Sequence, residues 1–129
     1  MTSAVEVLTK ARALIEKGWT QGTNARQKNN RETSPQSKTA CKFCAIGAMV
    51  REANLESLFS RDRRSLATRL DHALAKVHPE FIPDEDNSLR AIAQFNDLPT
   101  TTKEQILEVY DHAIRQASAD QGQGFNSAA

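Results

Sequence analysis

Between residues 4 and 17 the apolar positions Ala4, Val7, Leu8, Ala11, Leu14 and Ile15 recur at helical spacing, while Lys10, Arg12, Glu16 and Lys17 fall mostly off that stripe. The pattern predicts an amphipathic helix over about residues 3–17. Gly18 is expected to end it by taking a positive φ. From Trp19 to Gln36 the period vanishes and polar residues dominate, with the asparagines of "KNNRE" suited to a tight turn. A short hairpin, Trp19–Gln27 against Glu32–Pro35, or an ordered loop of the same extent, is expected there. Helical spacing returns in "CKFCAIGAMVREA", for which Ser37 or Thr39 is the expected N-cap. Gly47 in its interior costs about 1 kcal/mol relative to Ala, so something ought to pack against the bare backbone.

A third helical region begins near Asn54, with a break around "FSRDRRS", and runs through Leu66, Leu70, Ala73, Leu74 and Val77 to a stop at Pro79. Ser88 is the expected cap of a short helix carrying Leu89, Ile92 and Phe95. The last helix begins at Thr101 or Thr102, because Thr101 with Glu104 and Thr102 with Gln105 both fit a reciprocal capping box. Ile106, Val109, Tyr110, Ala113, Ile114 and Ala117 form its buried stripe, and the stretch from Ser118 is expected to fray. These elements predict a mainly α fold: a single compact bundle of about five helices with a short β-hairpin or ordered loop between helices one and two. The helical domain spans residues 1–117, and residues 118–129 form a flexible C-terminal tail.

The chain has 129 residues, 39% hydrophobic and 26% charged, enough apolar material for one core in a domain of this size. No apolar run approaches the roughly 18 residues of a membrane span, and the N-terminal stretch carries charges where a signal peptide is apolar. A soluble, cytoplasmic protein with no membrane association is expected. Two cysteines three apart, Cys41 and Cys44, make a poor disulfide on one helix, so reduced thiols are expected. The net charge is +1, yet residues 10–42 hold eight Lys or Arg against two Glu, and residues 79–129 hold three against nine acidic side chains. Complementary charges within one fold are favoured over an anionic partner.

Four kinds of chemistry can be weighed. A thiol nucleophile at Cys41 or Cys44 gains thiolate character near a helix N-terminus, and His72, His78 or His112 could serve as base with Asn96 or Asp97 orienting it and Gln21 donating to an oxyanion. None of these histidines lies near the cysteines in sequence, and a cysteine among small helical residues is more often a packing group. The C-x-x-C spacing with His72 and His78 supplies zinc-ligand types, but 27 residues separate Cys44 from His72 and the histidines point to different sides of a helix. No metal and no cofactor is expected. Nucleic acid could meet Arg61, Arg63, Arg64 and Arg69, or Arg26, Lys28 and Arg31, although Asp62 interrupts the first cluster and a solvated basic face is favoured. Lastly, Trp19, Gln21, Gly22 and Thr23 can converge with Asn96 and Asp97 beside Cys44. They either anchor a polar loop to the core, the favoured reading, or line a pocket floored by Gly47 and Cys44 and walled by Trp19.

"WTQGTNAR", then "FCAIGAM", then "FND" followed by "TTKEQILEVYDHAI" resembles a family of small bacterial and phage proteins known only as a domain of unknown function. The likeness spans about residues 4–117, and the positions that match its motifs are Trp19, Gln21, Gly22, Cys44, Gly47, Asn96 and Asp97. Cys41 departs from the pattern. The resemblance implies no established activity. With the residues, it leads to the expectation of a non-catalytic binding, accessory or inhibitory module, related to phage or mobile elements. That module would act through the Trp19 surface on a protein partner or small ligand. The alternatives are a Cys44-dependent hydrolase or transferase and a weak nucleic-acid binder.

Overall fold

The computed structural model describes residues 3–53, 66–82 and 89–128, with side chains described as far as Asp120. Its elements are helix α1 (Ala4–Lys17), strands β1 (Ala25–Arg26) and β2 (Lys42–Phe43), and helices α2 (Ala45–Glu52), α3 (Leu66–Val77), α4 (Arg90–Asp97) and α5 (Lys103–Ala128). The fold is mainly α, five helices with one very small antiparallel sheet among the described residues. No helix of the described residues is long and apolar enough to cross a membrane.

Helix α5 is the spine. It packs along α1 on one side and α3 on the other, while α2 lies across α1 and α4 bridges α2 and α3. The predicted stripes meet in that space: Leu8 and Ile15 of α1, Met49 of α2, Leu70 and Leu74 of α3, Ile92 of α4, and Ile106, Val109 and Tyr110 of α5 are all fully buried. Burying each such side chain contributes about 1.5–3 kcal/mol, so periodicity alone accounts for the core. The uneven charge is used across the same seam, where Arg12 of α1 pairs with Asp111 of α5.

Helix ends show where local chemistry prevailed. Ser3 caps α1 by accepting from the Glu6 amide at 3.1 Å. At Gly18 the helix ends with φ −168°, extended backbone rather than the positive φ expected. Glycine is needed there for space, since a Cβ would sit 2.4 Å from the Cys41 carbonyl oxygen. Of the two capping boxes before α5, the structure uses Thr102 with Gln105: the Thr102 amide donates to Gln105 Oε1 at 2.9 Å and the Gln105 amide to Thr102 Oγ1 at 3.3 Å. Thr101 is buried instead, its hydroxyl donating to the Phe95 carbonyl at 2.6 Å. Where fraying is expected from Ser118, α5 continues as helix, and Asp120 is tied to Arg69 of α3 at 2.7 Å.

Three expectations are corrected. The hairpin pairing is largely different: Ala25 and Arg26 pair with Phe43 and Lys42, and only an isolated Arg26–Glu32 bridge survives from the expected register. Phe43 also bonds the end of α1, donating to Gly18 O at 2.9 Å and accepting from the Thr20 amide at 3.1 Å. Helix α2 is shorter than its sequence pattern, because residues 42 and 43 are drawn into the sheet; its cap is Cys44, not Ser37 or Thr39. Those two hydroxyls bond each other at 2.8 Å in a turn. Finally, Leu89 stands at the start of α4 with φ +78° and no side-chain cap, its side chain buried; the expected cap Ser88 lies outside the described residues, as does the "FSRDRRS" break.

Candidate functional site: the Asn96 junction

Asn96 occupies the last turn of α4 and is 1% exposed. A buried side-chain amide must satisfy two acceptor and two donor positions or lose stability. Here all four are met. Asn96 Oδ1 accepts from Trp19 Nε1 at 2.9 Å and from the Ala45 amide, the first of α2, at 3.0 Å. Asn96 Nδ2 donates to the Thr20 carbonyl at 3.2 Å and to Asp97 Oδ1 at 3.0 Å. Two donors, an indole N–H and a backbone N–H, face the oxygen, so the orientation of the amide is fixed by its neighbours.

Around this centre the polar stretch after Trp19 is bound residue by residue. Gln21 Nε2 donates to the Asn96 and Leu98 carbonyls, each at 2.9 Å, satisfying acceptors where α4 runs out of helical partners. The Gly22 amide donates to Asp97 Oδ1 at 2.9 Å, and Gly22 holds φ +81°, a conformation open to glycine at little cost. Arg26, weighed from sequence as a phosphate contact against the favoured solvated basic face, is an internal clamp: Nε reaches Thr20 Oγ1 at 2.8 Å, Nη2 the Gln21 carbonyl at 3.2 Å and Nη1 the Asn30 carbonyl at 3.0 Å.

Cys44 lies on the other side of the junction. As N-cap of α2 its Sγ accepts from the Gly47 amide at 3.2 Å, and it lies 3.6 Å from Asn24 Oδ1. The expected gain in thiolate character is reversed. Burial pushes the thiol up, and the backbone amides of Gly47 and Ile46 offset this only partly, with the Asp97 charge adding to the rise. Gly47 explains itself sterically: an added Cβ would fall 1.9 Å from the Asn24 carbonyl oxygen, which also accepts from the Cys44 amide at 3.2 Å. Tyr110, wholly buried, donates its hydroxyl to the Ala45 carbonyl, and burial holds that phenol well above its ordinary range.

The three motif segments therefore converge, and a cleft of about 150 Å³ lies between them. Gly22, Thr23, Asn24, Cys44, Asn96 and Asp97 line it, together with Ile46 and Ala93. The expected floor and wall are corrected: Gly47 is covered by the Asn24 backbone, and Trp19, its N–H held by Asn96, is not among the lining residues. Asn24 was the residue that sequence reading missed; the unexplained glycine in α2 was its signal.

None of the three histidines lines this cleft. His78 packs on Phe95 with ring centroids 4.7 Å apart, and His72 and His112 line a separate cleft between α3 and α5. The carboxylate of Asp97 lines the cleft with Cys44, where its charge raises the thiol, and among the described residues no group of three or more His, Cys, Asp or Glu side chains is arranged to hold a metal. Cys41 is exposed, ahead of β2. The cluster Arg61, Arg63 and Arg64 lies outside the described residues.

Fold and junction together define a small helical domain with a polar loop fastened to it by side-chain hydrogen bonds. The chain belongs to the family of unknown function DUF6197, whose model matches residues 1–116. No curated protein and no solved structure shows significant similarity to it.

Proposed function

We propose that the protein is a non-catalytic binding module, which holds the loop from Thr20 to Lys42 in one shape and uses it to recognise an acidic surface on a protein partner. The observation that carries this reading is the use of Asn96, Gln21, Arg26 and Asp97 as internal anchors. A loop with little apolar surface is held at many points, which lowers the entropy lost on association. Between Thr20 and Lys42 the chain has five basic residues against one Glu. Lys28, Arg31 and Lys38 are exposed there, while Arg26 is turned inward.

Two further points favour a protein over a small ligand in the motif cleft. Its volume of about 150 Å³ is below the roughly 300–1,000 Å³ of ordinary small-molecule sites. Its thiol is a buried helix cap held toward the neutral form, which argues against a Cys44 hydrolase or transferase. An accessory or inhibitory role in a phage or mobile-element setting fits a module of this kind.

Crosslinking with mass spectrometry, comparing the wild type with the variant Lys28→Glu/Arg31→Glu and with Cys44→Ser, tests the reading. One partner should be captured by wild type and Cys44→Ser alike and lost with the charge reversal. Capture that ignores the loop charges, rapid alkylation of Cys44 near neutral pH, or salt-dependent retention on DNA in place of a protein partner would overturn it.

A further inference from the structure

A cleft of about 360 Å³ lies between α3 and α5 and shares no lining residue with the one beside Cys44. Its volume falls within the range of small-molecule sites. Two helix faces make it. Arg69, His72, Ala73 and Lys76 follow one another at intervals of three, one and three on α3, and His112, Gln116 and Asp120 stand four apart on α5, so each set forms a single stripe.

The chemistry of these stripes is one-sided. Three side chains, Lys76, His72 and His112, can bear positive charge in addition to Arg69, and the single carboxylate, Asp120, is already paired with Arg69 at 2.7 Å. Lys76 and His72 are exposed, while Ala73 is buried and leaves room between the helices. His112 supplies a second, independent sign. Its Nε2 is buried and has no hydrogen-bond partner among the described residues, an arrangement that costs stability unless a bound group completes it. Gln116 adds an amide able to donate or accept.

We infer that this cleft is a binding site for a small phosphate-bearing metabolite. The phosphate would lie between Lys76 and His72, and the organic part would lie toward His112 and Gln116. A phosphate monoester carries up to two negative charges and several acceptor oxygens, which matches ammonium and imidazolium donors better than one carboxylate does. Arg69, paired with Asp120, adds positive charge to the wall of the cleft.

The test is a titration of the isotopically labelled full chain, following the imidazole resonances of His72 and His112. His78, packed on Phe95 elsewhere, is the internal control. The probes are inorganic phosphate, ribose 5-phosphate and succinate, each against sodium chloride at matched ionic strength. Saturable shifts of His72 and His112 with both phosphates, larger for the monoester, are expected. Lys76→Ala, an exposed position that leaves the core intact, should weaken ribose 5-phosphate binding by roughly tenfold, the weight of one charge-assisted contact. His112→Ala should weaken the monoester more than inorganic phosphate. Equal shifts with chloride, saturation by succinate alone, absence of any shift, or unchanged affinity in Lys76→Ala would each overturn the assignment.

Discussion

Replacing Asn96 by Ala is the most direct challenge to the junction. It removes four hydrogen bonds at once, to Trp19, Ala45, Thr20 and Asp97. The consequences for the partners differ. Asp97 is exposed and keeps its bond from Gly22, so it loses little. The Ala45 amide and the Thr20 carbonyl belong to residues 0% and 9% exposed, and each is left unpaired at about 1–3 kcal/mol. The Trp19 indole is half-buried and can recover water, which reduces its share to about 1 kcal/mol or less. The total is about 2–7 kcal/mol, reaching the upper end for a single substitution, and its midpoint is equivalent to a drop in Tm on the order of 10–20 °C. Urea denaturation followed by the fluorescence of the sole tryptophan reads both the loss and its site. A cycle with Trp19→Phe, which keeps an aromatic ring, removes the donor and is followed by circular dichroism because the fluorophore is gone, should show that the second substitution costs less once Asn96 is gone. A loss below about 1 kcal/mol for Asn96→Ala, or additivity within about 0.5 kcal/mol in the cycle, would refute the central role given to this amide.

Gly47→Ala places a methyl group 1.9 Å from the Asn24 carbonyl oxygen, and the expected cost is about 2 kcal/mol or more with displaced Asn24 and Cys44 amide resonances; an unchanged urea midpoint would disprove the close approach. Cys44→Ser should remain within about 1 kcal/mol of wild type because serine also caps helices, while Cys44→Ala loses a further ~1 kcal/mol; the reverse order in chemical denaturation would remove the capping role. Burial raises the Cys44 thiol, so above the ordinary thiol range of about 8.5 the unfolded chain releases a proton that the native protein keeps. Native binds more protons, and stability must fall as pH rises through that window; Tyr110 adds a fall of the same sign above about 10. A stability that climbs between about pH 8 and pH 10, measured by urea midpoints, contradicts this sign. Iodoacetamide should modify exposed Cys41 readily and buried Cys44 only as the fold opens, an order that peptide mapping after brief exposure would show or deny.

What the sequence makes legible, and what it conceals, follows from the range of the interactions involved. The stripe Val7, Leu8, Ala11 and Ile15 and the stripe Ile106, Val109, Tyr110 and Ala113 are local patterns, and each became a buried helix face, α1 near both expected bounds and α5 near its expected start. Thr102 and Gln105 were readable because a capping box closes within one turn. By contrast, β1 and β2 are two residues each, too short for alternation to register, and their pairing joins Ala25 to Phe43 across a loop. The residues of that loop say "turn" without saying where the chain returns. The same limit hid the cap of α2, because the usual signals are Ser, Thr, Asp and Asn, and a thiol in that role carries no mark of its own. The motif residues were visible as a group because hydrogen-bonding side chains crowd where the apolar period fails. Their purpose was not visible, since Asn96 is an anchor only if two donors from distant segments arrive together at its oxygen. Once they do, Trp19, Gln21 and Asp97 hold the loop in one shape, and Lys28, Arg31 and Lys38 are the basic side chains the anchoring leaves outside, on which the proposed recognition would rest. The polar density that drew attention to the stretch is therefore an internal scaffold, and the proposed partner contact would lie on the charges around it.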